Sequence, residues 1–79
     1  MEFVPSELAV LRQLRDLFQE ASVRTYRLTM LTSRWPAGHY DAYRGGYVGL
    51  VKRGLISPSA DQRFFSITSA GLKAMAVTG

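Results

Sequence analysis

Cysteine is absent from the sequence, so neither a disulfide nor a zinc site with thiolate ligands can form. Histidine occurs once, as His39, and no cysteine is available to build a metal site beside it. The sequence also shows no nucleophile with an adjacent base, no carboxylate pair and no phosphate-binding glycine loop. We therefore predict that the protein is not an enzyme and binds no metal or cofactor.

Long apolar runs are missing too, and no segment of the sequence is long enough to span a bilayer. The first residues carry Glu2 and Glu7 where a secretory signal would carry basic residues. These features predict a cytoplasmic protein without a membrane segment. With 79 residues, 47% of them hydrophobic, and no repeat or linker, we expect one folded domain over residues 1–79.

Charge is distributed unevenly along the chain, which has a formal net charge of +4. Acids outnumber bases through Glu20, whereas residues 21–60 contain six bases and the single acid Asp41. A basic middle of this kind favours one positive face that attracts polyanions. The alternative is that these bases are simply solvated, and charge alone leaves both interpretations open.

Helical spacing of leucines, with proline at the start, predicts a first helix from Pro5 to Glu20. Residues 22–32 are ambiguous, because their apolar positions fit both an alternating strand and one helical face. We predict a helix with Ser22 as its N-cap, and a strand remains the alternative. The following Trp35-Pro36 step ends this element, since the residue before proline is pushed out of helical space.

A third helix is predicted from Tyr40 to Arg53, ending at Gly54, which accepts the left-handed conformation. At about 100° per residue its side chains separate into two faces. One face collects Tyr40, Tyr43, Tyr47, Leu50 and Val51, and the other collects Asp41, Arg44, Gly45, Val48 and Lys52. We predict that the tyrosines pack in the core or against a second copy, and the alternative is a stacking platform for single strands.

Glycine occurs three times in this helix, as Gly45, Gly46 and Gly49, at a cost of about 1 kcal/mol each relative to alanine. Two explanations are open. The glycines let a neighbouring helix pack closely, or Gly45 lets the wall of a nucleic-acid groove approach the helix.

A β-hairpin is predicted after Gly54, with a turn over residues 57–62 and strand-forming residues at 63–67. Thr68 or Ser69 then caps a short terminal helix over residues 70–77. The side chains of this helix that we expect to return to the core are Leu72, Met75 and Ala76.

Two stretches, LVKRGLI at residues 50–56 and DQRFFSITSAGL at residues 61–72, resemble the end of the recognition helix and the wing in MarR-like and related winged helix-turn-helix regulators. In that family the helix closes as Leu, three residues, Gly-Leu-Ile, and a charged hairpin returns to a Leu/Ile-Thr-x-x-Gly segment that opens a final helix. The resemblance implies a mainly α fold with a small β-hairpin, made of a three-helix core, a two-stranded wing and a short C-terminal helix. The segment from Trp35 to Gly38 and the tyrosine- and glycine-rich third helix depart from the family pattern.

The function implied by the resemblance is that of a transcriptional regulator that binds duplex DNA as a homodimer, with the third helix in the major groove and the wing on the backbone or minor groove. In this interpretation Arg44 bonds a guanine through both arms of its guanidinium, and the arginines near the second helix contact phosphates. The predicted DNA-binding residues are Arg24, Arg27, Arg34, His39, Asp41, Arg44, Gly45, Val48, Lys52, Gln62 and Arg63.

A second hypothesis is a protein-interaction module, either an adaptor or a phage-encoded modulator of a host protein. This hypothesis rests on the weakly basic outer face of the third helix, where Asp41, Gly45 and Val48 accompany one arginine. Such a partner would be contacted through Trp35, which is otherwise expected to plug the core, and through the tyrosines.

Overall fold

Residues 2–78 of the chain are described by a computed structural model, with side chains described through Ala76. Over that range four helices and three strands form a small, mostly helical α+β fold. In chain order they are α1 (Pro5–Ala21), β1 (Thr25–Arg27), α2 (Leu28–Thr32), α3 (Tyr40–Lys52), β2 (Ile56–Pro58), β3 (Phe64–Ile67) and α4 (Ser69–Thr78).

Helix α1 begins at Pro5, and the backbone N–H of Val4 donates to Glu7 Oε1 at 3.0 Å, which satisfies one donor before the first turn. The helix ends one residue beyond its predicted end. Ser22 follows in the left-handed conformation, with φ 57°, and its N–H donates to the Phe18 carbonyl at 2.8 Å. The prediction that Ser22 caps a following helix was therefore wrong, because this residue closes α1.

The segment over residues 22–32 contains a strand and a helix, so the predicted single helix was wrong. Thr25–Arg27 forms β1, and only the five residues Leu28–Thr32 are helical. The segment around Tyr26 forms a strand rather than a helix because Tyr26 is buried against Phe65 of β3, with the two ring centroids 5.7 Å apart.

The sheet is antiparallel with strand order β1-β3-β2. The predicted hairpin is present as β2 and β3, but it belongs to a sheet of three strands over the described residues, because β1 adds to the free edge of β3. Side chains alternate between the faces of the sheet, and the Tyr26–Phe65 pair faces inward. The Arg27–Phe64 pair lies on the outer face.

The core lies between α1, α3 and the inner face of the sheet. Glycines permit the close approach of α1 and α3, since a Cβ on Gly46 would meet the backbone carbonyl of Ser6 and a Cβ on Gly49 would meet the Glu7 carboxylate. Gly45 has no neighbouring atom within 4 Å of such a Cβ. The largest fully buried side chains include Leu11, Leu14, Leu17, Leu31, Leu50, Phe65 and Ile67.

The end of α3 and the start of α4 are linked by one hydroxyl. Gly54 has φ 77°, in agreement with its predicted role as a helix-ending glycine. Thr68 Oγ1 donates to the Gly54 carbonyl at 2.7 Å and accepts from the Gly71 N–H at 3.0 Å, so the predicted Thr68 cap is confirmed. Met75 is buried and Leu72 is half-buried, whereas Ala76 is exposed, contrary to the prediction. Within residues 2–78, no helix has both the length and the apolar character that crossing a membrane requires.

Candidate nucleic-acid interface

Helix α3 is covered on one side only. Its inner side, which includes Gly46, Tyr47 and Leu50, packs against α1 and the sheet. Five residues on the opposite side are all exposed, and we call them the α3 outer face: Asp41, Arg44, Gly45, Val48 and Lys52. The division into two faces follows the helical period, and the outer face agrees with the one predicted from the sequence. On the other face the prediction was wrong for Tyr40, which is 49% exposed.

The turn between β2 and β3, residues 59–63, lies beside this helix, and we call it the hairpin turn. A groove of about 330 Å³ separates the two elements. Arg44 and Val48 line it from the helix, and Gln62 lines it from the hairpin turn. The fold thus brings together residues of two segments that both entered the predicted site.

Hydrogen bonds order the hairpin turn from within. Asp61 Oδ1 accepts from the Ser59 hydroxyl at 2.6 Å and from the Arg63 backbone N–H at 3.1 Å. These two bonds, the Ser59 bond foremost, lower the pKa of the Asp61 carboxyl below its ordinary value. The Leu28 N–H donates to the Arg63 carbonyl at 2.8 Å, which fastens the turn to the start of α2. The side chains of Gln62 and Arg63 therefore extend from a backbone that hydrogen bonds hold in place.

Four basic side chains lie on or next to these elements: Arg27, Arg44, Lys52 and Arg63. Among the residues that the structure describes, Arg44 and Lys52 form no ion pair and no side-chain hydrogen bond. The Arg63 guanidinium lies 4.0 Å from the Asp61 carboxylate, and the Arg63 side chain is 81% exposed. An exposed pair at that distance contributes little, so the Arg63 charge is available to a ligand.

Arg24 and Arg34 are directed elsewhere, and the structure does not bring them to this surface. Arg24 Nε donates to the Ile67 carbonyl at 2.9 Å, toward α4. Arg34 Nη2 donates to Glu20 Oε2 at 2.7 Å, toward the end of α1. Their expected position on or after a second helix was wrong for Arg24, because that residue precedes β1.

His39 sits immediately before α3 and is exposed, and its side chain does not cap the helix. Its carbonyl accepts from the Tyr43 N–H at 3.1 Å, so its place in the fold is that of a helix-start residue. The described residues contain no cluster of three or more histidine, cysteine, aspartate or glutamate side chains that could hold a metal ion.

The aromatic residues separate into a buried and an exposed set. Trp35 is only 8% exposed and packs edge-on against Tyr40, with the ring centroids 4.8 Å apart. The predicted plug over the core is therefore correct, and Trp35 also lines the groove between α3 and the hairpin turn. Tyr47 is buried against Phe65, and burial raises the pKa of its hydroxyl. Tyr40, by contrast, is 49% exposed at the start of α3.

Sequence reasoning missed Phe64 and Thr29, which lie with Tyr40 around the hairpin turn and the start of α2. The Phe64-Phe65 pair carried a usable signal, because adjacent residues of a strand face opposite sides of the sheet and one of the two rings must therefore face away from the core. Thr29 carried none, since its position depends on how α2 docks beside the turn.

Comparisons of the chain with protein-family models, with curated proteins and with solved structures return no match. The fold and the site thus define a small, mostly helical α+β protein with an exposed, partly basic helix face beside a hairpin turn.

Proposed function

We propose that the chain binds duplex DNA as a winged-helix domain, with α3 in the major groove and the β2–β3 hairpin as the wing. The observation that carries this proposal is the exposure of the α3 outer face beside the hairpin turn, with Arg44 and Lys52 unpaired among the described residues and Arg63 highly exposed on the turn. The element order α1-β1-α2-α3-β2-β3 also fits the winged-helix arrangement that the resemblance at residues 50–56 and 61–72 implies.

The α3 outer face suits a groove wall in shape and chemistry. A B-DNA major groove is about 12 Å wide and admits an α-helix. Arg44 supplies a two-armed donor for a guanine, and Val48, one turn further along, supplies an apolar contact for a thymine methyl group. Gly45 lies between them with no side chain, which allows the helix axis to come close. Asp41 repels phosphates and so restricts how the helix can enter.

The wing supplies the second contact. Gln62 and Arg63 project from a turn fastened to α2, within reach of a sugar–phosphate backbone or a narrow minor groove that borders the helix site. Lys52, at the other end of the α3 outer face, meets phosphate on the far side of the groove. These contacts supply affinity without sequence preference, whereas Arg44 and Val48 supply the preference.

The proposal further assigns the protein to the cytoplasm as a non-catalytic transcriptional regulator that acts as a homodimer. In such a dimer the two α3 helices lie about 34 Å apart, one turn of DNA, and the operator is correspondingly palindromic.

Fluorescence anisotropy with labelled duplexes at low and raised salt tests the proposal. We expect binding at micromolar protein in low salt, and about ten-fold weaker binding for Arg44→Ala, in line with a lost bidentate base contact on a selected sequence. The matched control is Arg12→Ala, which removes an equal charge from the exposed side of α1 and leaves affinity unchanged. Absence of binding in low salt, or equal losses in the two variants, would refute a role for α3 in DNA binding.

A protein-interaction module is the second candidate, and exposed apolar side chains favour it. Met30, Tyr40, Val48 and Phe64 are all exposed, and the last three border the groove or the hairpin turn. Apolar groups of this kind anchor protein partners, and Trp35, although largely buried, lines the same groove. Partners retained on the immobilised protein after nuclease treatment, and lost in Val48→Glu, would support this candidate over DNA binding.

A further inference from the structure

A second cavity lies beside the α3 outer face but does not coincide with it. It forms where the start of α2, the start of α3 and the hairpin turn meet, and it has a volume of about 460 Å³. That size falls within the range of about 300–1,000 Å³ that is typical of small-molecule sites. We call six of the residues that line this cavity the cleft residues: Arg27, Thr29, Tyr40, Gln62, Arg63 and Phe64.

Exposed aromatic rings stand at the walls of this cleft. Phe64 is 39% exposed and Tyr40 is 49% exposed, whereas Tyr26, Tyr47 and Phe65 are buried. Tyr40 is held in place by its edge-on contact with the buried Trp35. Because every nucleobase has a π-face, ordered and exposed rings of this kind are stacking platforms for unpaired bases.

Two guanidinium groups accompany the rings. Arg27 pairs directly with Phe64 in the sheet, and its guanidinium carbon lies 5.9 Å from the Phe64 ring centroid. Among the described residues, this guanidinium donates no hydrogen bond to a protein acceptor. Arg63 is anchored through its backbone to Leu28, and its side chain extends into solvent. Both groups can therefore neutralise a phosphate at the mouth of the cleft.

Hydrogen-bonding groups complete the lining. The Thr29 hydroxyl and the Gln62 amide both border the cleft, and Gln62 has φ 62°, a conformation that a residue with a side chain rarely adopts. An amide and a hydroxyl can each donate to and accept from the edge of a base. Rings, cations and polar groups thus converge on one cavity, and together they match the three parts of a nucleotide.

We propose that this cleft binds a single unpaired nucleotide, whose base stacks on Phe64 and Tyr40 and whose phosphate meets Arg27 and Arg63. In a fully paired duplex the bases are stacked on one another, so none can enter the cleft. The proposal therefore goes beyond duplex binding: the protein prefers nucleic acid that carries an unpaired nucleotide, such as a bulge or a frayed end, beside the duplex.

A duplex with one bulged 2-aminopurine tests the proposal, because stacking on an aromatic ring quenches the fluorescence of this base analogue. We expect the bulged duplex to bind about ten-fold more tightly than the fully paired duplex, with quenching on binding, as one stacked base provides. Phe64→Leu weakens both the preference and the quenching, and Phe64→Leu combined with Tyr40→Leu removes them, whereas Phe64→Tyr, which keeps a ring, retains them. Equal affinity of the wild-type protein for both duplexes, or quenching that survives in the double variant, would overturn the proposal.

Two further arms separate this proposal from duplex binding through α3. The first arm measures a single-stranded oligonucleotide that contains 2-aminopurine, and the second measures Arg44→Ala on the fully paired duplex. Quenching of the single strand without any duplex binding supports the cleft and refutes the major-groove proposal. Arg44-dependent duplex binding without a bulge preference refutes the cleft alone. Circular dichroism checks the fold of each variant, and Arg27→Ala provides a second cleft variant that acts through the phosphate.

Discussion

Glu7 is the buried carboxylate of the described chain, at 5% exposure, and Arg53 meets it with two hydrogen bonds. Arg53 Nε donates to Oε2 at 2.9 Å and Arg53 Nη2 donates to Oε1 at 3.1 Å. The bond to Arg53 lowers the pKa of the Glu7 carboxyl, and it outweighs burial, which acts in the opposite direction. The pair joins the first turn of α1 to the end of α3, and so supports the helix that carries the site.

The pH dependence of stability should report this pair. Because the folded pKa of Glu7 lies below its ordinary value of 4.5, the pair stabilises the protein above that pH and this contribution is lost as pH falls through the folded pKa. We expect the free energy of unfolding, measured by urea titration, to fall below about pH 5, and to fall less in Glu7→Gln. The control Asp16→Asn removes an exposed carboxylate and retains the wild-type fall. Identical pH curves for wild type and Glu7→Gln would contradict the assignment.

Some arginines of this chain bond to other parts of the protein and others extend into solvent, and their positions in the sequence do not show which is which. Arg24 and Arg34 bond to acceptors in distant segments, at Ile67 and Glu20. Arg44 and Arg63 extend from α3 and the hairpin turn toward solvent. The sequence showed that the middle of the chain is basic, but it did not show which arginines bond within the protein and which face solvent. The Ile67 carbonyl and the Glu20 carboxylate come close to their arginines only in the folded chain.

At the scale of the element, the glycines of α3 have two different surroundings: two of them lie against α1 and one lies at the exposed surface. Gly46 and Gly49 bring the inner side of the helix against the start of α1. Gly45 lies on the α3 outer face with open space around it. The two explanations that the sequence left open therefore apply to different residues of one helix.

Adjacent alanine substitutions should have opposite effects on stability. Gly45→Ala stabilises the protein by about 1 kcal/mol, because alanine favours a helix and nothing obstructs the new methyl group. Gly46→Ala destabilises it, because its Cβ would meet the Ser6 backbone carbonyl and α1 would have to move. Urea unfolding of both variants measures the difference, and changes of the same sign would show that α1 and α3 do not pack as described.

Local signals account for α1, α3, the hairpin and the Thr68 cap, which the sequence predicted to within a residue or two. Strand β1 was not predicted as the first choice, because three residues such as Thr25–Arg27 acquire their conformation by pairing with β3, about forty positions later. The α3 outer face followed from helical period alone. The cleft residues come from five segments, namely β1, α2, α3, the hairpin turn and β3, and only the tertiary fold brings them together.

At the scale of the whole molecule, the four basic side chains on or next to α3 and the hairpin turn outnumber the two acids there, Asp41 and Asp61. Along α1, by contrast, three acids outnumber two arginines. Arg34 is paired with Glu20 and adds little to the positive field. The surface formed by α3 and the hairpin turn thus carries a net positive charge, which favours the approach of a polyanion.

The salt dependence of DNA binding should distinguish Lys52 and Arg63, which lie at the proposed site, from Arg34, which is paired with Glu20 away from it. Each phosphate contact contributes about 0.9 to the slope of log K against log salt concentration. We expect Lys52→Ala and Arg63→Ala each to reduce the slope by about one, and Arg34→Ala to leave it unchanged. These variants remove the same charge, so equal slopes in all three would contradict the proposed division.

The most direct test of the central claim maps the contact itself by nuclear magnetic resonance, with the protein titrated against a duplex selected for binding. The account predicts that backbone amide shifts concentrate at Asp41, Arg44, Gly45, Val48 and Lys52 and across the hairpin turn, while the exposed side of α1 around Arg12 stays unchanged. Shifts that concentrate on α1 or α4 and leave the α3 outer face unaffected would contradict it.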